Sequence, residues 1–385
     1  MGCFRARTAI ATALLVTAGC DEGDGGENPG ATPEVPTYEG TIDLEIGAMD
    51  GDDPYLFSRI EAVAADERGR MIVADRQSNE IRVFEPDGVF AFHFGGYGEG
   101  PGELTDICCM EFGPDGDLWV RESERFSVFR LGETGAEYQT GLRSPQMGVI
   151  GVRAPFTFDE LGRLVAVGHM YDDDGVSLDT RYRMLADGTV DSLAMADRER
   201  QSVSQETVPF ERGPFRGVAY INQPFGPRWI HAHANGGVWA EAVTSDYSIS
   251  YHSPDDTVSL IEGPSLPGPA LSPAERERAQ VQIDRDLERT DLARHPFGIP
   301  DRKPPLARMF FDRQSRLWIE KSAPDGAEIR EADVYEGTTL TARYRWPRRI
   351  REFPVPWATE SVLYGVTADS LGVQRVARVR FSQTP

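Results

Sequence analysis

Ile60-Glu-Ala-Val-Ala-Ala-Asp66-Glu-Arg-Gly69-Arg-Met-Ile-Val73 joins two apolar segments through a polar turn that carries a glycine. Apolar runs this short, bounded by turn residues, read as paired strands rather than as helix. The strand pair Glu80-Ile-Arg-Val-Phe-Glu85 and Val89-Phe-Ala-Phe-His-Phe94 follows, joined by Pro86-Asp87-Gly88. Their period-two alternation marks half-buried strands, and glycine supplies the positive φ of a tight hairpin. One unit is therefore four strands long.

The unit recurs along the chain. Copies start at Met110-Glu-Phe-Gly-Pro-Asp-Gly116-Asp-Leu-Trp-Val120 and at Phe156-Thr-Phe-Asp159-Glu-Leu-Gly162-Arg-Leu-Val-Ala166. Others start at Ile230-His-Ala-His-Ala-Asn-Gly236-Gly-Val-Trp-Ala240 and Met309-Phe-Phe-Asp312-Arg-Gln-Ser-Arg-Leu-Trp-Ile319, with a degraded sixth from Val355 to Tyr364. Trp119, Trp239 and Trp318 read as one repeat position, and His233 takes the place of Asp66, Asp159 and Asp312. Gly69, Gly116 and Gly162 are 47 and 46 residues apart, the length of one four-stranded propeller blade. The expected fold is all-β: a six-bladed β-propeller over residues 40–385. The last unit holds three strands, so the early strand Thr41–Ile46 is expected to pair beside it and close the ring.

The run Met71-Ile-Val-Ala-Asp75, Asn79-Glu-Ile-Arg-Val-Phe84, Asp87-Gly88 and Phe94-Gly-Gly-Tyr-Gly-Glu-Gly-Pro-Gly-Glu103 resembles an NHL-type blade. It is similar to the six-bladed β-propeller lipoproteins common in environmental bacteria. That resemblance implies fold and export; most such relatives have no assigned activity.

The N-terminus agrees with export. Arg5 and Arg7 precede the apolar run Thr8–Val16, too short for a membrane span of roughly 20 residues but suited to a signal peptide. Thr17-Ala18-Gly19-Cys20 resembles the bacterial lipobox, with Thr17 in place of the usual leucine. The resemblance implies cleavage after residue 19 and lipidation of Cys20, hence partnership with a membrane through a lipid anchor. Cell-envelope localisation follows, on the periplasmic face of the inner membrane or on the outer membrane. Residues 20–39 are rich in Gly, Pro, Asp and Glu and read as a flexible tether.

Formal charge is −22, and losing Arg5 and Arg7 makes it more negative still. Such an acidic surface excludes nucleic acid as a partner. Beyond Cys3 and Cys20 only the adjacent Cys108 and Cys109 remain. Strand neighbours point to opposite faces, so two small buried hydrophobes are expected there rather than a strained disulfide.

Two inserts break the rhythm. Gln201 to Pro227 is rich in Pro and aromatics. In the second, residues 264–304, Ser272-Pro273-Ala274-Glu275 has the form of a capping box, which predicts a helix over about 273–293 with Ala279, Ile283 and Leu287 inward. It serves as a lid on the channel or as an edge brace.

Function is less legible. Loops at the channel mouth carry Arg59, Asp75, Asp106, Glu122, Arg125, His169, Asp172, Arg228, Arg308 and Lys321. Both signs together suit a small polar ligand, a peptide or an envelope protein. His231 and His233, two apart on one strand face, are the candidate metal ligands, and a divalent cation is the only cofactor the sequence suggests. Gluconolactonase-like propeller hydrolases hold such an ion with Glu, Asn and Asp; Glu61 or Glu111 could supply the glutamate, but the rest of the set has no match here. No nucleophile elbow, zinc-protease signature or catalytic cysteine motif occurs. The expectation is a membrane-tethered binding module, with a metal-dependent hydrolase or lyase as the alternative.

Overall fold

The structure, a computed structural model, describes residues 34–144, 155–171, 177–185, 189–212, 215–290 and 292–384. The signal segment and Asp172 lie outside them. The fold is all-β and propeller-like.

Strand Met71–Asp75 shows why. Met71, Ile72, Val73 and Ala74 are all fully buried, so its sheet is covered on both faces. Alternate side chains go to different neighbours. Met71 and Val73 pack with Val366 and Val376 on one side, while Ile72 and Ala74 pack with Leu118 and Val120 on the other. Met71, Ile72 and Val73 each contribute about 1.5–3 kcal/mol of burial, and Ala74 less. A sheet that needs a partner on each face is satisfied by stacking sheets side by side.

Among the described residues four sheets are four-stranded antiparallel meanders. They start at Ile60–Ala65, Cys109–Phe112, Phe156–Phe158 and Trp229–His233. Instead of two further separate blades, a single eight-stranded sheet holds the rest of the repeat. The cause is strand Thr37–Ile46. It pairs antiparallel with Gln374–Gln383, as the sequence suggested, and also runs parallel to Thr339–Pro347 through Thr37, Tyr38 and Glu39. That second pairing fuses what would otherwise be two sheets.

Five hairpins share one turn geometry. The backbone N–H of Asp66, Gly113, Asp159, Ala234 and Asp312 each donates to the carbonyl four residues on. The fourth turn position is left-handed in all five: Gly69, Gly116, Gly162, Gly237 and Ser315 have φ between +57° and +85°. Asp66, Asp159 and Asp312 close their turns by accepting from Arg70, Arg163 and Arg316.

This register corrects the sequence alignment of the fourth unit. Gly237, not Gly236, is the counterpart of Gly69, and Ala234, not His233, stands in the aspartate's place. Trp239 pairs with His233 as Leu118 pairs with Phe112, so it is one place earlier than Trp119 and Trp318. A one-residue slip moves every side chain to the opposite face. His233 therefore does not serve the turn.

The cysteine expectation is also corrected. Cys108 and Cys109 are joined by a disulfide. Cys108 precedes the strand Cys109–Phe112, so strand alternation does not separate the two side chains.

The first insert contains an unexpected hairpin, Gln205–Arg212 with Phe215–Asn222. The second forms helix Pro273–Thr290. Ser272 Oγ accepts from the Glu275 N–H at 3.1 Å, and Glu275 returns the bond to the Ser272 N–H at 3.0 Å. Ala279 and Ile283 are buried, Leu287 half so. Arg289 donates to the Tyr220 carbonyl, tying helix to hairpin. Among the described residues no helix is long and apolar enough to cross a membrane.

Candidate functional site

A cavity of about 200 Å³ lies where the leading strands converge. Its wall takes Glu61 to Val63, Cys108 to Glu111, Phe156 with Thr157, His231 to Asn235, Met309 to Arg313, and Phe353 to Ala358. Every one of the six repeat units thus supplies its first strand or the residues leading into it. The disulfide Cys108–Cys109 is part of this wall.

Part of the wall is a polar knot. Arg313 Nη1 donates to Glu111 Oε1, and Asn235 Nδ2 donates to the same oxygen at 3.3 Å. Asn235 Oδ1 in turn accepts from the Phe158 N–H at 3.0 Å. Four units are bound together by these bonds. Elsewhere on the wall Glu61, almost fully buried, is ion-paired with Arg59 at 2.5 Å.

The flank of the cavity is formed by the seam between the third and fourth sheets. Strand Ser177–Met184 alternates, with Tyr182 and Met184 packing on the Phe156 cluster. Its other face carries Asp179, Arg181 and Arg183, and Arg181 stands 4.5 Å over the ring of Trp239. On the facing strand Trp229, His231 and His233 share one side, while Ile230 and Ala232 pack towards the eight-stranded sheet. Rings continue across the seam: Trp229 to His231 at 4.6 Å, His231 to His233 at 5.0 Å, and Trp239 stacked on His252 at 3.7 Å.

Within that seam His169 Nδ1 bonds Asp179 Oδ1, and His231 Nε2 stands 3.4 Å from Asp179 Oδ2. His231 Nδ1 and His233 Nε2 are bonded at 2.9 Å. Burial alone would raise the Asp179 carboxyl, but the bonds from His169 and His231 outweigh it and hold it well below the usual range. The same bond raises His169 above its ordinary value, against burial and the charge of Arg121. For His233, burial with the nearby His231 and Arg181 pushes the imidazole far down, so it is neutral. Arg181 is pushed down by burial to about 10 and stays charged at neutral pH.

The loop residues singled out in the sequence are mostly spent on the fold. Asp75 is fully buried and accepts from the N–H groups of Ser58, Arg59 and Gln77. Asp106 accepts from Arg76 and Ser123; Glu122 accepts from Thr105, Arg125 and Ser127. Arg308 pairs with Glu320, and Lys321 with Glu331 and Asp333. None of these lines the central cavity. Arg228 instead lines a side cleft of about 830 Å³ with Asp179, Trp229, Glu275 and Lys303. Helix Pro273–Thr290 borders that cleft and does not reach the central cavity.

His231 and His233 do line the cavity, but their facing nitrogens bond one another rather than opening towards a shared ion. Among the described residues no group of three or more His, Cys, Asp or Glu is placed to hold a metal. Asp179 escaped the sequence reading. Its signal was a strand alternating Asp179, Arg181 and Arg183 with Tyr182 and Met184, charge on the face that an interior strand should bury.

No known protein family matches the chain, and no curated protein matches it. Solved structures do resemble its path. Virginiamycin B lyase from Staphylococcus aureus aligns over 89% of this chain and 99% of its own, at 10% identity and TM-score 0.43. The PQQ-bound aldose sugar dehydrogenase of Streptomyces coelicolor covers 91% and 100%, at 14% identity and TM-score 0.42. A member of the DUF4221 family from Bacteroides vulgatus covers 90% and 99%, at 9% identity and TM-score 0.44.

Proposed function

We propose that this chain is a six-bladed propeller with NHL-like repeats, exported and held to a membrane by lipid on Cys20, whose axial cavity binds a small, partly aromatic ligand. The observation that carries the reading is the cavity wall, to which all six repeat units contribute. Six blades rather than five are supported by the packing inside the eight-stranded sheet. Its first half presents Phe310, Trp318 and Val334, and its second half Leu363, Ala377 and Val379, to a single core cluster. Side chains from two parts of one sheet meet face to face only if the sheet folds back on itself as two blades.

The wall is mainly apolar, with polar groups at few places, the usual make-up of a small-molecule site. A binding role is the reading this wall supports, since the facing nitrogens of His231 and His233 bond one another. The test uses single-ring compounds such as 4-nitroanisole with the purified domain. Ala62 is half-buried on the cavity wall, so Ala62→Phe would fill the space. Thermal stabilisation by the ring compounds that disappears in this variant supports the reading; stabilisation unchanged by the variant, or absent from both proteins, overturns it.

A further inference from the structure

We propose that Asp179, His231 and His233 form a proton relay between the side cleft and the central cavity, so that the cavity takes a ring compound with an acidic O–H or N–H and receives its proton. The inference deepens the cavity reading above and depends on it.

The hydrogens can be assigned from one end. A carboxylate only accepts, so the His231 nitrogen that faces Asp179, Nε2, carries a hydrogen. With hydrogen on Nε2 alone, His231 has a bare Nδ1, which accepts from His233 Nε2 across the 2.9 Å bond. His233 Nδ1 is left with its lone pair, and among the described residues no group hydrogen-bonds to it. The two histidines line the cavity while Asp179 lines the cleft. The hydrogen-bonded chain therefore runs from a residue on the wall of the cleft to one on the wall of the cavity.

The step balances without any other reactant. The ligand's O–H or N–H bond breaks and its proton bonds His233 Nδ1. His233 Nε2–H breaks at the same time, and that proton bonds His231 Nδ1. The products are a ligand anion and a His231 imidazolium beside the Asp179 carboxylate, with His233 again neutral. Charge thus rests on the ring next to the carboxylate rather than on the ring that burial disfavours. The titratable and charged groups around the seam are His169 on Asp179, Arg121 near His169, Arg181 with Asp256 and His252 near His233, Arg183 on Asp159, and Glu241 against His252 and Arg200.

A ring is the fitting shape. Phe156, Met110, Phe353 and Trp357 supply apolar wall, and a volume near 200 Å³ is in the range that holds one aromatic ring.

The experiment titrates the purified domain with 4-nitrophenol and with 4-nitroanisole, at a pH where free 4-nitrophenol is protonated. The expected result is a nitrophenolate absorbance on binding and an affinity about tenfold or more above that of the ether. Asp179→Asn and His233→Gln should each bind both compounds with similar affinity and give no phenolate band. Circular dichroism of each variant verifies its fold. Equal binding of phenol and ether by the parent protein, without the band, overturns the relay and leaves the cavity reading intact. A band that persists in both variants also overturns it. Binding of neither compound overturns the cavity reading and the relay together.

Discussion

Arg313 Nη1 donates to Glu111 Oε1, joining the fifth unit to the second across 202 residues of sequence. Both side chains are partly buried, and Asn235 of the fourth unit shares the same oxygen. Three units are thereby clamped at the wall of the cavity. A double-mutant cycle of Glu111→Gln and Arg313→Met should give a coupling of about 1–3 kcal/mol in urea unfolding. Additive effects would show that the clamp adds nothing to stability.

Asp312 accepts from Arg316, from the Gln314 N–H and from Trp318 Nε1 at 2.9 Å, with its side chain fully buried. Asp312→Ala strands the partly buried guanidinium and the indole N–H. The expected loss is about 3–5 kcal/mol, read from denaturant midpoints at unchanged slope. A loss within the range of ordinary surface changes would contradict the buried-partner account.

His169 carries a raised value in the folded protein, relative to an ordinary 6.5, through its bond to Asp179. Such a group binds its proton more tightly when folded, so its contribution is complete below about pH 6.5 and fades as pH rises through the raised value. The melting-temperature gap between the parent and His169→Asn should therefore be widest below that pH and close towards alkaline pH. A gap that widens with pH would have the wrong sign.

Between residues 34 and 384 the sequence has two cysteines, Cys108 and Cys109, and they are bonded to each other. Unfolded without reductant, this domain should take up no iodoacetamide; after reduction it should take up two equivalents. Labelling before reduction would place free thiols in the cavity wall.

Replacing Cys20 with serine should move the protein from the membrane pellet to the soluble fraction of cells, since the acyl chains supply about 0.8 kcal/mol per buried CH₂. Retention in the pellet would assign the attachment to something other than lipid.

Much of this was local and therefore readable. Strand alternation, the Gly69-type turns and the Ser272–Glu275 capping box each depend on residues a few positions apart, and the structure bears them out. The candidate site was harder. Asp75, Glu122 and Arg308 looked available because a sequence does not reveal which backbone N–H or carboxylate will arrive opposite. Asp179 and His231 are far apart in the chain, and their meeting depends on two sheets being neighbours.

By itself, the sequence decided that strands would form and where they would turn. It did so through periodicity and turn chemistry, which act over one hairpin. Only the tertiary structure decided that the strand at Thr37 joins two sheets, and that His233 faces the third sheet rather than serving a turn. Register is the reason: a shift of a single residue is nearly invisible in a repeat alignment, yet it exchanges the two faces of a strand.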